Sequence, residues 1–186
     1  YETRLDRMTW FMDRGEVGLS QEKHLPENEV DIGIDSLKTN GPTYLSRHPG
    51  QDELKFVAPE AVYNYRARQL HAHEVPFIEV ADAYIFPDGG NVDVGYQATM
   101  DMLENSKVLA SRMNRQHLIY DASIAIKGAK DYSGSGTYDY RDAFGNSHPV
   151  RFARIWVDST RQTRSSGTVD PEDPFMLSPF FDFQGD

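Results

Sequence analysis

Two histidines at positions i and i+2 of one segment are the first candidates for chemistry in this chain. His71 and His73 flank Ala72, and this spacing places both imidazoles on one face of a β-strand. A third ligand, His117 or Glu74, could complete a zinc or copper site. The same spacing is also typical of a solvent-facing strand, so we expect no metal here.

A second candidate is a glycine turn with oxygen-bearing side chains around it. Asp88, Asn91 and Asp93 surround Gly89 and Gly90, in a pattern faintly like the calcium repeats of parallel β-rolls. Calcium prefers roughly six to eight oxygen ligands, and one copy of the pattern supplies about half of them. A plain Pro-Asp-Gly turn explains the same residues. We therefore predict no metal and no cofactor.

The remaining polar residues do not form a catalytic pattern. The segment Ser133-Gly134-Ser135-Gly136 lacks the strand-to-helix elbow of a nucleophile loop and the Lys-Ser/Thr of a phosphate cradle, and we predict a turn there. Aspartates are plentiful, but a catalytic pair requires a distance that the sequence does not contain. We therefore predict that the chain is not an enzyme and has no catalytic residue.

Aromatic residues beside arginines are the last candidates. Tyr138, Tyr140 and Trp156, with Arg151 and Arg154 nearby, could form a stacking platform for a sugar or an acidic glycan. These five are the candidate ligand-binding residues. Because side chains alternate along a strand, we expect about half of the aromatic rings to point into the core. A second group of the same kind comprises Tyr63, Tyr65, Arg66 and Arg68.

Composition excludes several classes of protein. The chain has 186 residues and a formal net charge of -10, which argues against sequence-independent binding of nucleic acid. It has no cysteine, so it cannot form a disulfide or a thiolate metal site. No apolar run approaches the roughly 18 residues of a membrane-spanning helix, so we predict no transmembrane segment.

The elements that must position these residues are short strands. Short strand-like segments that each begin with alanine recur from the middle of the chain onward, and we call them the alanine-led phrases. They start at Ala61, Ala83, Ala122 and Ala153, with intervals of 22, 39 and 31 residues. Self-similar strand phrases are typical of stacked strand units, and irregular intervals indicate loop insertions. We predict an all-β chain, folded as a solenoid-like or open β-jelly-roll stack of short strands with loop insertions.

Regularity changes along the chain and suggests its organisation. Residues 1–53 are predicted to form irregular strands and loops, including a strand pair joined by a turn at residues 14–16. Residues 54–186 are predicted to form a repeat-like β-solenoid region and one structural unit. Within it, residues 98–111 could form a helix, but we favour a strand. The chain begins with Tyr1 rather than Met, so we expect a segment of a longer polypeptide, with its flanking parts as partners.

The later strands resemble a known family. Residues 135–140 (SGTYDY) and 166–169 (SGTV) share one cycle, in which a polar residue and a glycine are followed by a strand segment that ends on an aromatic or apolar residue. This cycle resembles the periplasmic lipopolysaccharide-transport and organic-solvent-tolerance proteins over residues 54–186. The resemblance implies an open β-jelly-roll that shields acyl chains in the envelope of a Gram-negative bacterium. It implies no site residue, and strands rich in Tyr and Ala depart from a uniformly aliphatic interior.

Three alternative functions follow. The first is a non-catalytic scaffold or binding domain of the bacterial cell envelope, periplasmic or exported, that shields or carries an amphipathic lipid in a continuous dry groove. The second is a glycan-binding or β-helical polysaccharide-active domain with exposed Tyr and Arg side chains beside paired aspartates. The third is a structural spacer with no pocket. They differ in where Tyr138, Tyr140 and Trp156 point.

Overall fold

The computed structural model describes residues 7–21, 41–111, 117–142 and 144–169, together with the backbone of two short strands at residues 175–178 and 181–183. The predicted all-β class is confirmed, because the described residues form strands and three short 3₁₀ turns but no α-helix. The predicted N-terminal strand pair and the strand within residues 98–111 are also confirmed. Much of the predicted N-terminal loop region, at residues 22–40, lies outside the described residues.

The strands of the described residues, numbered in chain order, are β1 (Arg7–Phe11), β2 (Glu16–Ser20), β3 (Thr43–Leu45), β4 (Lys55–Val57), β5 (Glu60–Asn64), β6 (Gln69–His73), β7 (Ile78–Val80), β8 (Ala83–Phe86), β9 (Val92–Val94), β10 (Leu103–Ala110), β11 (His117–Gly128), β12 (Asp131–Arg141), β13 (Ser147–Val157), β14 (Thr163–Thr168), β15 (Phe175–Ser178) and β16 (Phe181–Phe183). The 3₁₀ turns are Pro49–Gln51, Asp88–Gly90 and Tyr96–Ala98.

The strands form two main antiparallel sheets. The smaller sheet has five strands in the order β1-β2-β5-β6-β9, and the larger sheet has nine in the order β14-β13-β12-β11-β10-β8-β7-β4-β3. The strands β15 and β16 form a separate hairpin. Between β3 and β8 the chain alternates, placing two strands in the larger sheet, two in the smaller and two in the larger again. Within the described residues neither sheet closes on itself, so each has two edge strands.

The core is one cluster of apolar side chains that both sheets supply. In β8, Ala83 and Ile85 are fully buried while Tyr84 and Phe86 are partly exposed, which is the two-residue period of a strand with one face inward. The largest fully buried side chains are Tyr44 and Tyr132, and the ring of Tyr44 in β3 stacks on Phe56 with centroids 5.4 Å apart. The core therefore runs to the β3 edge of the larger sheet.

Three β-bulges lie beside one another in the larger sheet. The pairing shifts by one residue around Asn105 in β10, around Asp121 in β11 and around Ala153 in β13. Asn105 and Asp121 have positive φ angles of 50° and 47°. A bulge bends its strand and increases the local twist. The long strands β11 and β13 therefore bend at the same level, on either side of β12.

The predicted turn at Ser133-Gly134-Ser135-Gly136 is wrong. These residues lie in the middle of β12, and the turn between β11 and β12 is at Ala129 and Lys130. A Cβ atom on Gly134 would lie 2.1 Å from the carbonyl oxygen of Ser123 in the neighbouring strand. The glycine is required because two backbones approach closely beside a bulge, not because the chain turns.

The repeated alanine-led phrases do not occupy equivalent positions. Ala61 lies in β5 of the smaller sheet, whereas Ala83 and Ala122 lie in β8 and β11 of the larger sheet. Ala153 lies at the bulge of β13. The strand pairing therefore establishes two antiparallel sheets, and a solenoid is not shown.

Candidate functional site

A cavity of about 300 Å³ lies on the face of the larger sheet that also carries the core. Strands β10 to β14 and the turn between β7 and β8 contribute its lining. This volume is at the lower end of the range of about 300–1,000 Å³ found for small-molecule sites. The lining residues are Asp82, Ala110, Ser111, His117, Ile119, Tyr138, Phe152, Thr163 and Ser165.

An aromatic wall bounds this cavity. The rings of Tyr138 and Phe152 stack with centroids 5.9 Å apart and planes 12° apart. The imidazole of His117 lies against Tyr138, with 5.6 Å between the ring centroids, and its Nδ1 is 3.1 Å from the Tyr138 hydroxyl oxygen. The buried Ile119 adds an aliphatic surface. The wall therefore offers mainly ring faces and aliphatic surface, and the Tyr138 hydroxyl is already hydrogen-bonded to His117.

A hydrogen-bond network holds β14 at the margin of the cavity. The Asp82 carboxylate, in the turn between β7 and β8, accepts hydrogen bonds from the backbone N–H of Thr163 at 3.0 Å and from its hydroxyl at 2.5 Å. The Tyr132 hydroxyl lies 2.6 Å from the same Thr163 oxygen. Because the Thr163 hydroxyl donates its proton to Asp82, it accepts from the Tyr132 hydroxyl, and burial raises the pKa of Tyr132 well above its ordinary value. The network links the start of β14 to a turn that is distant in the strand order.

The structure separates the five predicted binding residues onto two faces of the larger sheet. Tyr138 lines the cavity, and Tyr140 lies on the same face two residues further along the regular pairing. Arg151, Arg154 and Trp156 alternate with inward-facing residues of β13 and lie on the opposite face. There the Arg154 guanidinium lies 4.8 Å from the centroid of the Trp156 ring. The five residues therefore do not form one platform, and an arginine of the same chain covers the Trp156 ring.

The second aromatic and arginine group lies on the smaller sheet. Tyr63 is in β5, and Tyr65, Arg66 and Arg68 lie in or beside the turn between β5 and β6, where all four are exposed. Sequence analysis missed a further member of this group. Trp10 of β1 meets Tyr65 edge-on, with ring centroids 6.3 Å apart.

The two segments considered for metal binding meet across β6 and β9. His71 and His73 share one face, as predicted, and their Nδ1 atoms lie 2.6 Å from Asp93 Oδ1 and 3.0 Å from Asn91 Oδ1 respectively. His117 lies instead in β11 of the larger sheet. In the part of the chain that the structure describes, no three His, Asp or Glu side chains are placed to hold one metal ion.

Sequence analysis missed most of the cavity lining as a binding site. Of the five candidate residues only Tyr138 lines it, and the sequence pattern indicates His117 only as a metal ligand. Asp82 and Thr163 meet although 81 residues separate them, and no local pattern marks either one. The apolar residues Ile119 and Phe152 are as typical of an ordinary core-facing strand as of a cavity wall, so their types do not indicate a binding site.

Comparison with known proteins adds no assignment. No protein-family model, curated protein or solved structure matches this chain. Among the described residues, no helix has the length and hydropathy that crossing a bilayer requires. The fold and the cavity are therefore the basis for any functional inference.

Proposed function

We propose that this chain is a non-catalytic binding domain of the bacterial cell envelope, periplasmic or exported, which holds the apolar chain of an amphipathic lipid. The observation that carries this proposal is the cavity with its aromatic wall. The family resemblance implies an open β-jelly-roll. Two open antiparallel sheets, between which the chain passes in pairs of strands, support this at the level of the fold.

The chemistry of the cavity favours an apolar chain over a sugar. Ile119, Phe152 and the ring of Tyr138 offer apolar contact, and burying apolar surface contributes roughly 25 cal/mol per Å². The polar groups of Asp82 and Thr163 already bond to one another. A sugar would have to take its partners from the remaining polar lining residues, Ser111, His117 and Ser165, and each buried hydroxyl left without one costs about 1–3 kcal/mol. A lipid can instead leave its polar headgroup in water at the mouth.

At the five candidate residues, the placement of the aromatic rings does not favour the glycan alternative. A sugar-binding platform needs an open ring face, but the Arg154 guanidinium covers Trp156 and Phe152 stacks on Tyr138. The lipid proposal therefore uses the face of the sheet that carries the cavity. The opposite face, with Arg151, has no assigned role.

A chain-length series of fatty acids tests the proposal. Isothermal titration calorimetry with saturated fatty acids from hexanoate to tetradecanoate should give an affinity that rises roughly fourfold per methylene, at about 0.8 kcal/mol each, until the cavity is full. Ala110 lines the cavity and is 6% exposed, so Ala110→Phe should fill the space and weaken binding at least tenfold. Ala153→Phe, at an exposed position of β13, is the matched control and should bind as the wild type does.

Two results would contradict the lipid proposal. The first is the absence of binding by any fatty acid, together with a clean native mass after incubation with envelope lipids, which would leave the structural spacer as the better proposal. The second is an affinity that does not depend on chain length or on Ala110→Phe. That result would place any binding outside the cavity.

A further inference from the structure

One end of the smaller sheet carries exposed aromatic, methionine and arginine side chains, which we call the basic aromatic tip. It is built from the turn between β1 and β2, the turn between β5 and β6, and the 3₁₀ turn that follows β9. It lies on the smaller sheet, whereas the cavity is on the larger one. The residues of the tip are Trp10, Met12, Arg14, Tyr65, Arg66, Arg68 and Tyr96.

Direct contacts join the three turns into one surface. The backbone N–H of Tyr65 donates to the carbonyl oxygen of Gly15 at 3.1 Å. The side chain of Arg66 lies across Gly15, where a Cβ atom would come within 2.7 Å of its Nε. The Arg68 guanidinium lies 5.3 Å from the centroid of the Tyr96 ring. The tip is therefore an ordered surface and not a set of independent loops.

The apolar side chains of the tip are unusually exposed. Met12 is 69% exposed, Tyr96 59% and Trp10 56%. Trp10 contacts Tyr65 and Arg68 contacts Tyr96, so these exposed side chains follow one end of the smaller sheet from β1 to the turn after β9. Exposed apolar surface of this kind marks a site of interaction with a protein or a membrane. Tyr65 holds the indole of Trp10 edge-on, with 89° between the ring planes. The group is therefore positioned without being covered.

The charge of the tip contrasts with that of the chain. The whole chain has a formal net charge of -10, yet this end presents Arg14, Arg66 and Arg68. Among the described residues of the β1–β2 and β5–β6 turns and their flanks, the carboxylates are those of Asp13 and Glu16, and Glu16 Oε2 lies 4.0 Å from Arg14 Nε. An excess of guanidinium groups among exposed rings is complementary to an anionic surface.

We propose that the basic aromatic tip docks this domain onto a bilayer surface that contains anionic headgroups. Trp10 and Met12 would enter the interfacial layer, where tryptophan and tyrosine are enriched, and the arginine side chains would extend to the phosphates. The tip consists of three turns and the adjoining end of β1, whereas a stable protein interface needs a complementary surface of roughly 800 Å² on each partner. A fluid bilayer can conform to such a narrow surface. This inference does not depend on the cavity or its ligand.

Tryptophan fluorescence tests the proposal directly. The chain has two tryptophans, so Trp156→Phe leaves Trp10 as the only one. Vesicles of phosphatidylcholine mixed with phosphatidylglycerol should shift the Trp10 emission to shorter wavelength, and brominated acyl chains should quench it. Vesicles of phosphatidylcholine alone should do so far less, because each arginine near an anionic surface contributes roughly fivefold to partitioning.

Co-sedimentation with the same vesicles separates the roles of the two kinds of side chain. Trp10→Ser combined with Met12→Ser should lower partitioning more than tenfold, and Arg66→Ser with Arg68→Ser should remove most of its dependence on phosphatidylglycerol. Phe144→Ser is the matched control, because Phe144 is 59% exposed in the turn between β12 and β13 and is outside the tip. Far-UV circular dichroism verifies that each variant is folded.

Three results would overturn the proposal. One is the absence of co-sedimentation with anionic vesicles. Another is equal loss of binding in the Phe144→Ser control. The last is a change from dimer to monomer in the Trp10 and Met12 variant, measured by analytical ultracentrifugation, without loss of lipid binding. That outcome would assign the tip to a second copy of the chain.

Discussion

Replacing Gly134 by alanine tests the role that the structure assigns to the glycines of β12. The new Cβ atom would lie 2.1 Å from the carbonyl oxygen of Ser123 and 2.7 Å from Cδ1 of Ile124, whereas Cβ contacts under 3.0 Å essentially do not occur. Because the nearer atom belongs to the β11 backbone, it cannot rotate away, and the two strands must separate. Overpacking costs about 1–3 kcal/mol and each weakened ladder hydrogen bond about 1 kcal/mol. We expect the free energy of unfolding to fall by about 3 kcal/mol.

Urea unfolding followed by far-UV circular dichroism measures this loss. Gly18→Ala is the matched control, since Gly18 lies in β2 and its nearest neighbour would be 3.4 Å from the new Cβ. Alanine loses less backbone freedom on folding than glycine, so Gly18→Ala should leave stability unchanged or raise it by up to about 1 kcal/mol. Equal stability of the two variants would refute the close approach of β11 and β12.

Three further predictions concern buried polar groups. The side-chain hydrogen bond from His148 holds the pKa of Asp142 well below its ordinary value of 3.8. The stability that this carboxylate contributes is therefore present above pH 3.8 and is lost as the pH falls towards the lower pKa of the folded state. Asp142→Asn should accordingly flatten the fall of the melting temperature below about pH 4. Thr163→Val should lower the free energy of unfolding in urea by about 2 kcal/mol, because it leaves the buried Tyr132 hydroxyl unpaired, whereas Thr163→Ser should retain it. The Tyr44 hydroxyl is buried without a partner among the described residues, and burial raises its pKa to about 12. Tyr44→Phe should therefore raise the free energy of unfolding by about 1 kcal/mol. A lower free energy of unfolding, measured in urea, would contradict this.

The all-β class could be predicted because its signal is local. Ala83 and Ile85 alternate with more polar or partly exposed neighbours, and this period is enough to identify a strand with one buried face. The assignment of strands to sheets could not be predicted in the same way. The phrases that begin at Ala61 and Ala83 look alike, yet β5 and β8 belong to different sheets. The partners of a strand are set by contacts far away in the chain.

The candidate site was less predictable than the fold. Tyr138 was identified from its residue type, but its partner Phe152 and the Asp82 to Thr163 contact depend on how β12, β13 and β14 are placed. Glycine-rich composition also has two physical meanings, a turn or a close approach of backbones. Only the close approach of the Ser123 carbonyl oxygen to Gly134 distinguishes them.

The bulges of the larger sheet determine where the chain can change in length. A one-residue shift in a regular strand turns every following side chain to the other face. At a bulge, however, the extra residue is what interrupts the pairing, so removing Asp121 restores regular pairing and keeps Ile119 and Ile124 on their present face. The same holds for Asn105 in β10 and Ala153 in β13. Single-residue deletions, natural or engineered, should therefore be tolerated at these positions and rejected elsewhere in the same strands.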